Sequence, residues 1–202
     1  MSRGGLNKIM KKDRLNEKTA YTIKVLLIAV VCFIAALIIA KFFLMRTIVD
    51  GSSMYPTLED GEHILVDKNI YRKHAPERFD IVVFATPLSD TGYYVKRIMA
   101  LPGETIRIDD NGVIYINDEV IEEDYGAEQL LDPGRARIGV TLGEDEYFVM
   151  GDNRNHSEDS RFMLVGNINK DRFLGKVTMR IWPLDKYGFV DLYMERNKNT
   201  DD

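Results

Sequence analysis

The chain has a single cysteine, Cys32, and it lies inside an apolar run. That excludes a disulfide framework, a cysteine zinc site and a cysteine nucleophile in the part that follows the run. Only three histidines occur (His63, His74 and His156), and they lack metal-ligand spacing, so no metal site is expected. Internal repeats are absent, and so is any long stretch of helical period after residue 45. Cationic charge is scarce outside one end. Residues 1–24 hold seven Lys and Arg against Asp13 and Glu17, whereas the whole chain has a net charge of −5. The remainder therefore carries −10, and such an acidic body repels phosphates, which argues against a nucleic-acid partner. What remains is 202 residues, 45% hydrophobic and 29% charged, enough for one ordinary globular domain and a small addition.

The addition is at the front. Residues 25–40 read VLLIAVVCFIAALIIA, and the apolar character resumes after Lys41 with Phe42, Phe43, Leu44 and Met45. Sixteen helical residues span roughly 24 Å, but 25–45 span roughly 32 Å, enough for a bilayer core of roughly 30 Å if Lys41 snorkels to the interface. A cleaved signal peptide shares the basic start and apolar middle, but this run is long and small residues do not bunch at its end. A buried core helix is the other alternative; apolar residues all round, with charge only at the ends, suit lipid better. The basic excess ahead of the run places the N-terminus in the cytoplasm and the body outside the cell membrane. The expected organisation is a basic cytoplasmic tail (1–20), a transmembrane anchor (21–45), an extracytoplasmic β domain (46–194) and a disordered tail (195–202).

Within that domain, Ile64-Leu65-Val66, Ile81–Phe84 and Tyr93-Tyr94-Val95 are short β-rich runs bounded by turn residues. Thr105–Ile108 and Val113–Ile116 flank Asp109-Asp110-Asn111-Gly112, a hairpin signature inside a small insertion at about 103–145. Tyr147–Met150 and Lys176–Trp182 add strands, and the acidic stretch 122–140 reads as a mobile loop. The fold class is mainly β, an antiparallel sandwich or partly open barrel behind one N-terminal transmembrane helix.

Three segments are rich in reactive side chains and do not read as plain strand or turn. Gly51-Ser52-Ser53-Met54-Tyr55-Pro56-Thr57-Leu58 holds two serines on a path that glycine permits and proline fixes. It could also be an ordinary serine-rich turn. In Tyr93-Tyr94-Val95-Lys96-Arg97-Ile98-Met99, strand alternation puts Lys96 on one face with Tyr94 and Ile98, either enclosed or solvated. Gly151-Asp152-Asn153-Arg154-Asn155-His156-Ser157-Glu158-Asp159-Ser160-Arg161 is either a loop or a knot of ion pairs. His156 beside Ser157 invites a Ser–His–Asp reading, but chain neighbours rarely point at each other. His63 and His74 suit surface or turn positions.

Taken together and in order, these segments resemble the boxes of type I signal peptidases, the membrane-bound Ser–Lys leader peptidases of bacteria, in their Gram-positive form. Gly61–Val66, Arg78–Phe84, Leu101-Pro102-Gly103-Glu104, Gly175-Lys176 and Trp182-Pro183 fit between and after them, so the likeness runs from about Val49 to Pro183. It implies a serine endopeptidase that removes signal peptides from exported preproteins after small residues, Ala-x-Ala in type, at a lipid bilayer and without a cofactor or metal. Ser53 is implied as nucleophile, Lys96 as general base and Ser157 as the hydroxyl that holds Lys96. Asp152, Asp159 and Arg161 are implied as structural support. Val49, Met54, Leu58, Tyr94 and Val95 are implied as substrate-binding residues, with the strand before Ser53 and the strand of Lys96 clamping the substrate backbone. The Ser53 amide is implied as an oxyanion donor. Two departures stand out: Gly51 occupies a place where some members offer a serine hydroxyl as a second donor, and the glycine expected soon after Arg161 is delayed to Gly166.

The chemistry is physically reasonable. A serine hydroxyl needs a base, and lysine, ordinarily near 10.4, must drop by roughly three pH units, about 4 kcal/mol, to serve near neutrality. Desolvation by neighbours such as Val95, Ile98 and Met54 acts in that direction, whereas an acidic partner opposes it. Ser53 lies eight residues past Met45, a reach of at most about 29 Å, so the nucleophile stays near the membrane face. Phe42, Phe43 and Phe84 are candidates to dip into lipid or to pack internally. Among rivals, a self-cleaving repressor-type Ser–Lys peptidase calls for a helix-turn-helix domain in place of the apolar run. A non-catalytic surface β module explains the anchor and strands but not the three segments, and a sortase-like enzyme needs an extracellular cysteine.

Overall fold

The structure, a computed structural model, describes residues 3–86 and 92–190. It falls into two compact units, Met1–Phe43 and Leu44–Asp202. The first is one helix, α1 (Arg3–Phe43). Within it Lys18–Ile38, 21 residues, is long and apolar enough to cross a membrane and has no buried face. The segment expected as a basic tail is helical from Arg3 onward. The span expected to reach residue 45 runs two residues too far. Leu44 and Met45 are strand, paired with Asp67 and Val66, because a ladder with a distant segment outweighs the local apolar continuity. The tail 195–202 lies outside the described residues.

The second unit is mainly antiparallel β. Its strands are β1 (Leu44–Ile48), β2 (His63–Asp67), β3 (Ile81–Ala85), β4 (Tyr93–Ala100), β5 (Thr105–Ile108), β6 (Ile114–Ile116), β7 (Glu119–Val120), β8 (Val140–Thr141), β9 (Glu146–Met150), β10 (Ile168–Asn169), β11 (Phe173–Trp182) and β12 (Gly188–Phe189). Among the described residues they form two sheets. The larger runs β1-β2-β11-β3-β4-β9-β10, with β12 also on β11; the smaller runs β7-β6-β5-β8. The expected hairpin is the β5–β6 pair, with Ile106 opposite Ile116.

The unbroken apolar run of β3 shows what its position demands. Ile81 and Val83 enter a core with Val49, Met54, Leu58, Ile64 and Val66. Val82 and Phe84 enter a second core on the other face, with Ile98, Tyr147, Val149 and Ile168. A strand buried on both faces has no polar side to alternate with. Phe84 is therefore fully buried, which removes it from the candidates for lipid contact. A third core joins the small sheet to the ends of β4 and β9 through Ile106, Ile116, Met99, Ala100 and Phe148.

The stretch 122–140 is packed rather than a free loop. Leu130 and Ala136 are buried in that third core, residues Gly134–Ile138 form a 3-10 turn, and Glu123 pairs bidentately with Arg154 at 2.5 and 2.8 Å. Its acidic composition hid two apolar anchors and a buried ion pair. Because Phe84 is fully buried against the rings of Tyr94 and Phe173, Phe84→Ala is expected to cost about 3–5 kcal/mol of folding stability, measurable by urea unfolding of the detergent-solubilised chain.

Candidate active site

The turn that carries Ser53 is held from three sides. Gly51 takes φ +89, a conformation that suits glycine, and its amide donates to Asp60 Oδ1 at 2.8 Å. The Tyr55 amide donates to Ser52 O at 3.1 Å and that of Leu58 to Met54 O at 2.9 Å. Met54 and Leu58 are buried against the sheet and act as anchors beneath the turn. From the third segment, the Asn153 amide donates to Ser53 O and Asn153 Nδ2 to Ser52 O, both at 3.1 Å. These constraints leave Ser52 exposed and Ser53 half-buried at the edge of a cleft.

Lys96 comes from the middle of β4, opposite Val82, and is 4% exposed. Its Nζ lies 2.7 Å from Ser53 Oγ and 3.1 Å from Val95 O. Alternation holds, for Tyr94 and Ile98 lie on the Lys96 side, and the Tyr94 ring centre is 5.0 Å from Nζ. Burial pushes the amine down from about 10.5 to about 8; the carboxylates of Asp159, Asp152 and Glu158 hold it up, and Arg161 lowers it. The acidic surroundings explain why it stops near 8 rather than reaching neutrality.

Ser157 is buried, and its Oγ has no hydrogen-bond partner among the described residues. It packs where Gly151 leaves room: a Cβ on Gly151 would stand 2.3 Å from Ser157 Oγ and 2.4 Å from Ser53 O. The missing side chain thus lets the Ser53 turn close onto the Gly151–Arg161 loop. Asp159 and Arg161 pair in a buried fork, Nε to Oδ1 and Nη2 to Oδ2, both at 2.8 Å, and Asp159 Oδ2 accepts from the Gly151 amide at 3.0 Å. His156 is exposed and makes no hydrogen bond to either serine among the described residues. His63 lies beside Arg46 at the surface.

Sequence reasoning missed the partner of Asp152. Arg97, 2% exposed, donates Nε to Oδ1 at 2.9 Å and Nη2 to Oδ2 at 2.7 Å. Thr57 Oγ1 donates to the same Oδ2 at 2.5 Å, while the Thr57 carbonyl accepts from Arg180 Nη2 at 2.5 Å, and Arg180 Nε pairs with Glu62 at 2.7 Å. The Ser53 turn is thereby tied by buried charges to β4, to β11 and to Glu62 just before β2. One signal was available: an arginine followed directly by the apolar run Ile98-Met99-Ala100 in one strand calls for a buried anion.

The cleft holds about 320 Å³ and is lined by residues that include Val49, Ser53, Met54, Tyr94, Val95 and Lys96. Leu58 is not among its walls; it is fully buried in the core below, because the turn rotates it inward beneath Met54. Among the described residues no group of His, Cys, Asp or Glu is arranged to hold a metal ion. At the delayed glycine, the Gly166 amide donates to Phe162 O at 3.0 Å with φ +65, closing a turn that leaves Met163 and Leu164 exposed.

Comparison with known proteins gives a consistent picture. The family model described as signal peptidase, peptidase S26, matches residues 22–182. Signal peptidase I T of Bacillus subtilis is 37% identical over 166 residues, covering 78% of this chain and 83% of that protein. Signal peptidase IB of Staphylococcus aureus is 32% identical over 184 residues, covering 84% and 93%. A crystal structure of a signal peptidase I from Enterococcus faecalis is 34% identical, covers 52% of this chain and 98% of that one, and has a TM-score of 0.44.

Removing the Asp152 carboxylate strands the Arg97 cation in the interior. Asp152→Ala is expected to cost about 3–5 kcal/mol of stability, read from the urea midpoint; a loss no larger than that of a surface Asp→Ala change would show that water reaches Arg97.

Proposed function

The chain belongs to the signal peptidase family, peptidase S26, and on that premise we propose that it removes signal peptides from exported preproteins, cutting after small residues of Ala-x-Ala type with Ser53 as nucleophile and Lys96 as general base. The observation that carries this reading is the 2.7 Å approach of a buried amine to a serine oxygen at the wall of an open cleft.

The steps follow from the atoms present. In its neutral form Lys96 accepts the Ser53 hydroxyl proton as Oγ attacks the substrate carbonyl. The Ser53 amide donates to the developing oxyanion. Lys96 then returns the proton to the leaving amine, leaving an acyl-enzyme on Ser53. A water molecule, deprotonated by the same amine, releases the acyl group. Ser157, buried beside the site with an unpartnered Oγ, is the hydroxyl available to orient the amine without adding charge. The Asp159–Arg161 and Asp152–Arg97 pairs keep the loop and turn in place behind it.

Specificity fits the same cleft. Among the described residues β1 has no strand beyond it, and β4 pairs with β9 only from Arg97 onward. Two free edges, Leu44–Ile48 and Tyr93–Lys96, therefore offer backbone groups to an extended peptide. Val49, Met54, Tyr94 and Val95 line the cleft, and to them we assign the pockets for alanine-sized side chains. The anchor is α1, with the N-terminus in the cytoplasm and the β unit on the outer face of the cell membrane. Enzyme and substrate are then both held at one lipid surface, which raises their effective concentration.

Ser53→Ala and Lys96→Ala are each expected to lower cleavage of an Ala-x-Ala reporter peptide by at least about 10³-fold, with Ser52→Ala within a few-fold of the parent. Retained cleavage by the purified Ser53→Ala variant would sink the assignment. Because the neutral amine is the active form, kcat/KM should fall about tenfold per pH unit well below 8 and level off above it. A flat profile between about pH 6 and 9 contradicts a titrating lysine base.

A further inference from the structure

Across the cleft, Tyr94 Oη donates to Glu158 Oε2 at 3.0 Å. Both residues line the cavity that holds Ser53 and Lys96. Tyr94 stands two residues before Lys96 on β4, and Glu158 directly follows Ser157. The bond therefore straps the strand that carries the amine to the loop that carries the unpartnered hydroxyl. The same tyrosine presents its ring to Lys96 Nζ at 5.0 Å, so the strap also fixes an aromatic wall against the amine. Burial, and after it the hydrogen bond to Glu158, pushes the Tyr94 phenol's pKa up.

The charges around Lys96 are not equivalent. Asp50 comes from the turn before Ser53, His156 and Glu158 from the loop after β9, and Tyr93 and Tyr94 from β4. Asp152 and Asp159 act from behind, together with Arg161. Each of those two aspartates is locked in a buried fork with an arginine, Arg97 and Arg161 respectively; both raise Lys96 more than Glu158 does, but their carboxylates are committed to those forks. Glu158 is exposed and makes no ion pair among the described residues. Its charge acts across the cleft, screened by solvent and salt.

We propose that Glu158 is a positioning residue of this centre: through Tyr94 it holds β4 to the Ser157 loop, and its charge favours the protonated amine, which makes cleavage sensitive to pH and to salt. The inference rests on the reading of Lys96 as general base. Its direction agrees with the upward pull of Glu158 on the lysine.

The test uses the full chain in detergent with an Ala-x-Ala reporter peptide, and kcat/KM from pH 6 to 10 for the parent, Glu158→Gln and Tyr94→Phe. Glutamine keeps an oxygen for the tyrosine but no charge. The ratio of its kcat/KM at pH 7 to its own value at pH 10 should exceed the parent's ratio about two- to threefold at low salt. That gain should shrink in about 0.5 M salt, where the Debye length is only a few ångströms. Tyr94→Phe keeps the charge and cuts the strap, so kcat should fall about three- to tenfold with a smaller change in the ratio. If the parent inflects near pH 8 but Glu158→Gln leaves the ratio unchanged at both salt levels, the inference is overturned and the Ser–Lys reading stands. If the parent has no inflection, or Ser53→Ala still cleaves, the reading of Lys96 falls and takes the inference with it.

Discussion

The structure depends on keeping one amine out of water beside one hydroxyl. Lys96 is 4% exposed and 2.7 Å from Ser53 Oγ. Burying an ammonium is costly, and a protein can meet that cost by pairing the charge or by favouring the neutral form. Here, among the described residues, no carboxylate pairs with Nζ; its near neighbours are a serine oxygen, a backbone carbonyl and an aromatic ring. The amine is consequently pushed down to about 8 by burial, with more distant carboxylates limiting the drop. A direct salt bridge would have stabilised the ammonium and held the amine charged.

That arrangement requires rigid surroundings, and buried charge supplies them. Arg97, the next residue on the strand, faces away from the amine and pairs with Asp152, while Thr57 and Arg180 extend the chain of contacts under the Ser53 turn. Alternation along β4 thus sends one cation into the cleft and the next into an ion-pair network behind it. Buried ion pairs add little net stability compared with apolar packing. What they do here is fix register: the turn, the strand and the Gly151–Arg161 loop can meet only where every fork is satisfied.

Some of this was legible in the chain itself. The apolar run, the hairpin and the strands around Ile81 and Tyr147 follow from local pattern, and the structure has a helix and strands there. The family was legible from three segments in order, and the comparisons bear it out. Other parts were not legible. Leu44 and Met45 look like the end of an apolar helix, yet pair as strand with residues more than twenty positions on. Leu58 looks like a pocket wall and is core, and Phe84 looks like a lipid-facing aromatic and is buried on the inner side of a central strand. The acidic stretch 122–140 looks mobile and is pinned by Leu130, Ala136 and Glu123.

The sequence alone determined which chemistry was on hand: a serine between glycine and proline, a lysine within an apolar strand, and an anchor-length helix with no thiol elsewhere to compete. Period and composition carry that information because they are local. Only the tertiary structure decided the distances and the electrostatic surroundings. Lys96 and Ser53 are 43 residues apart, Arg97 and Asp152 are 55 apart, and Tyr94 and Glu158 are 64 apart. Desolvation, the pairing of each carboxylate and the side to which a turn residue rotates are all set by neighbours brought in through the sheet, and no local pattern records them.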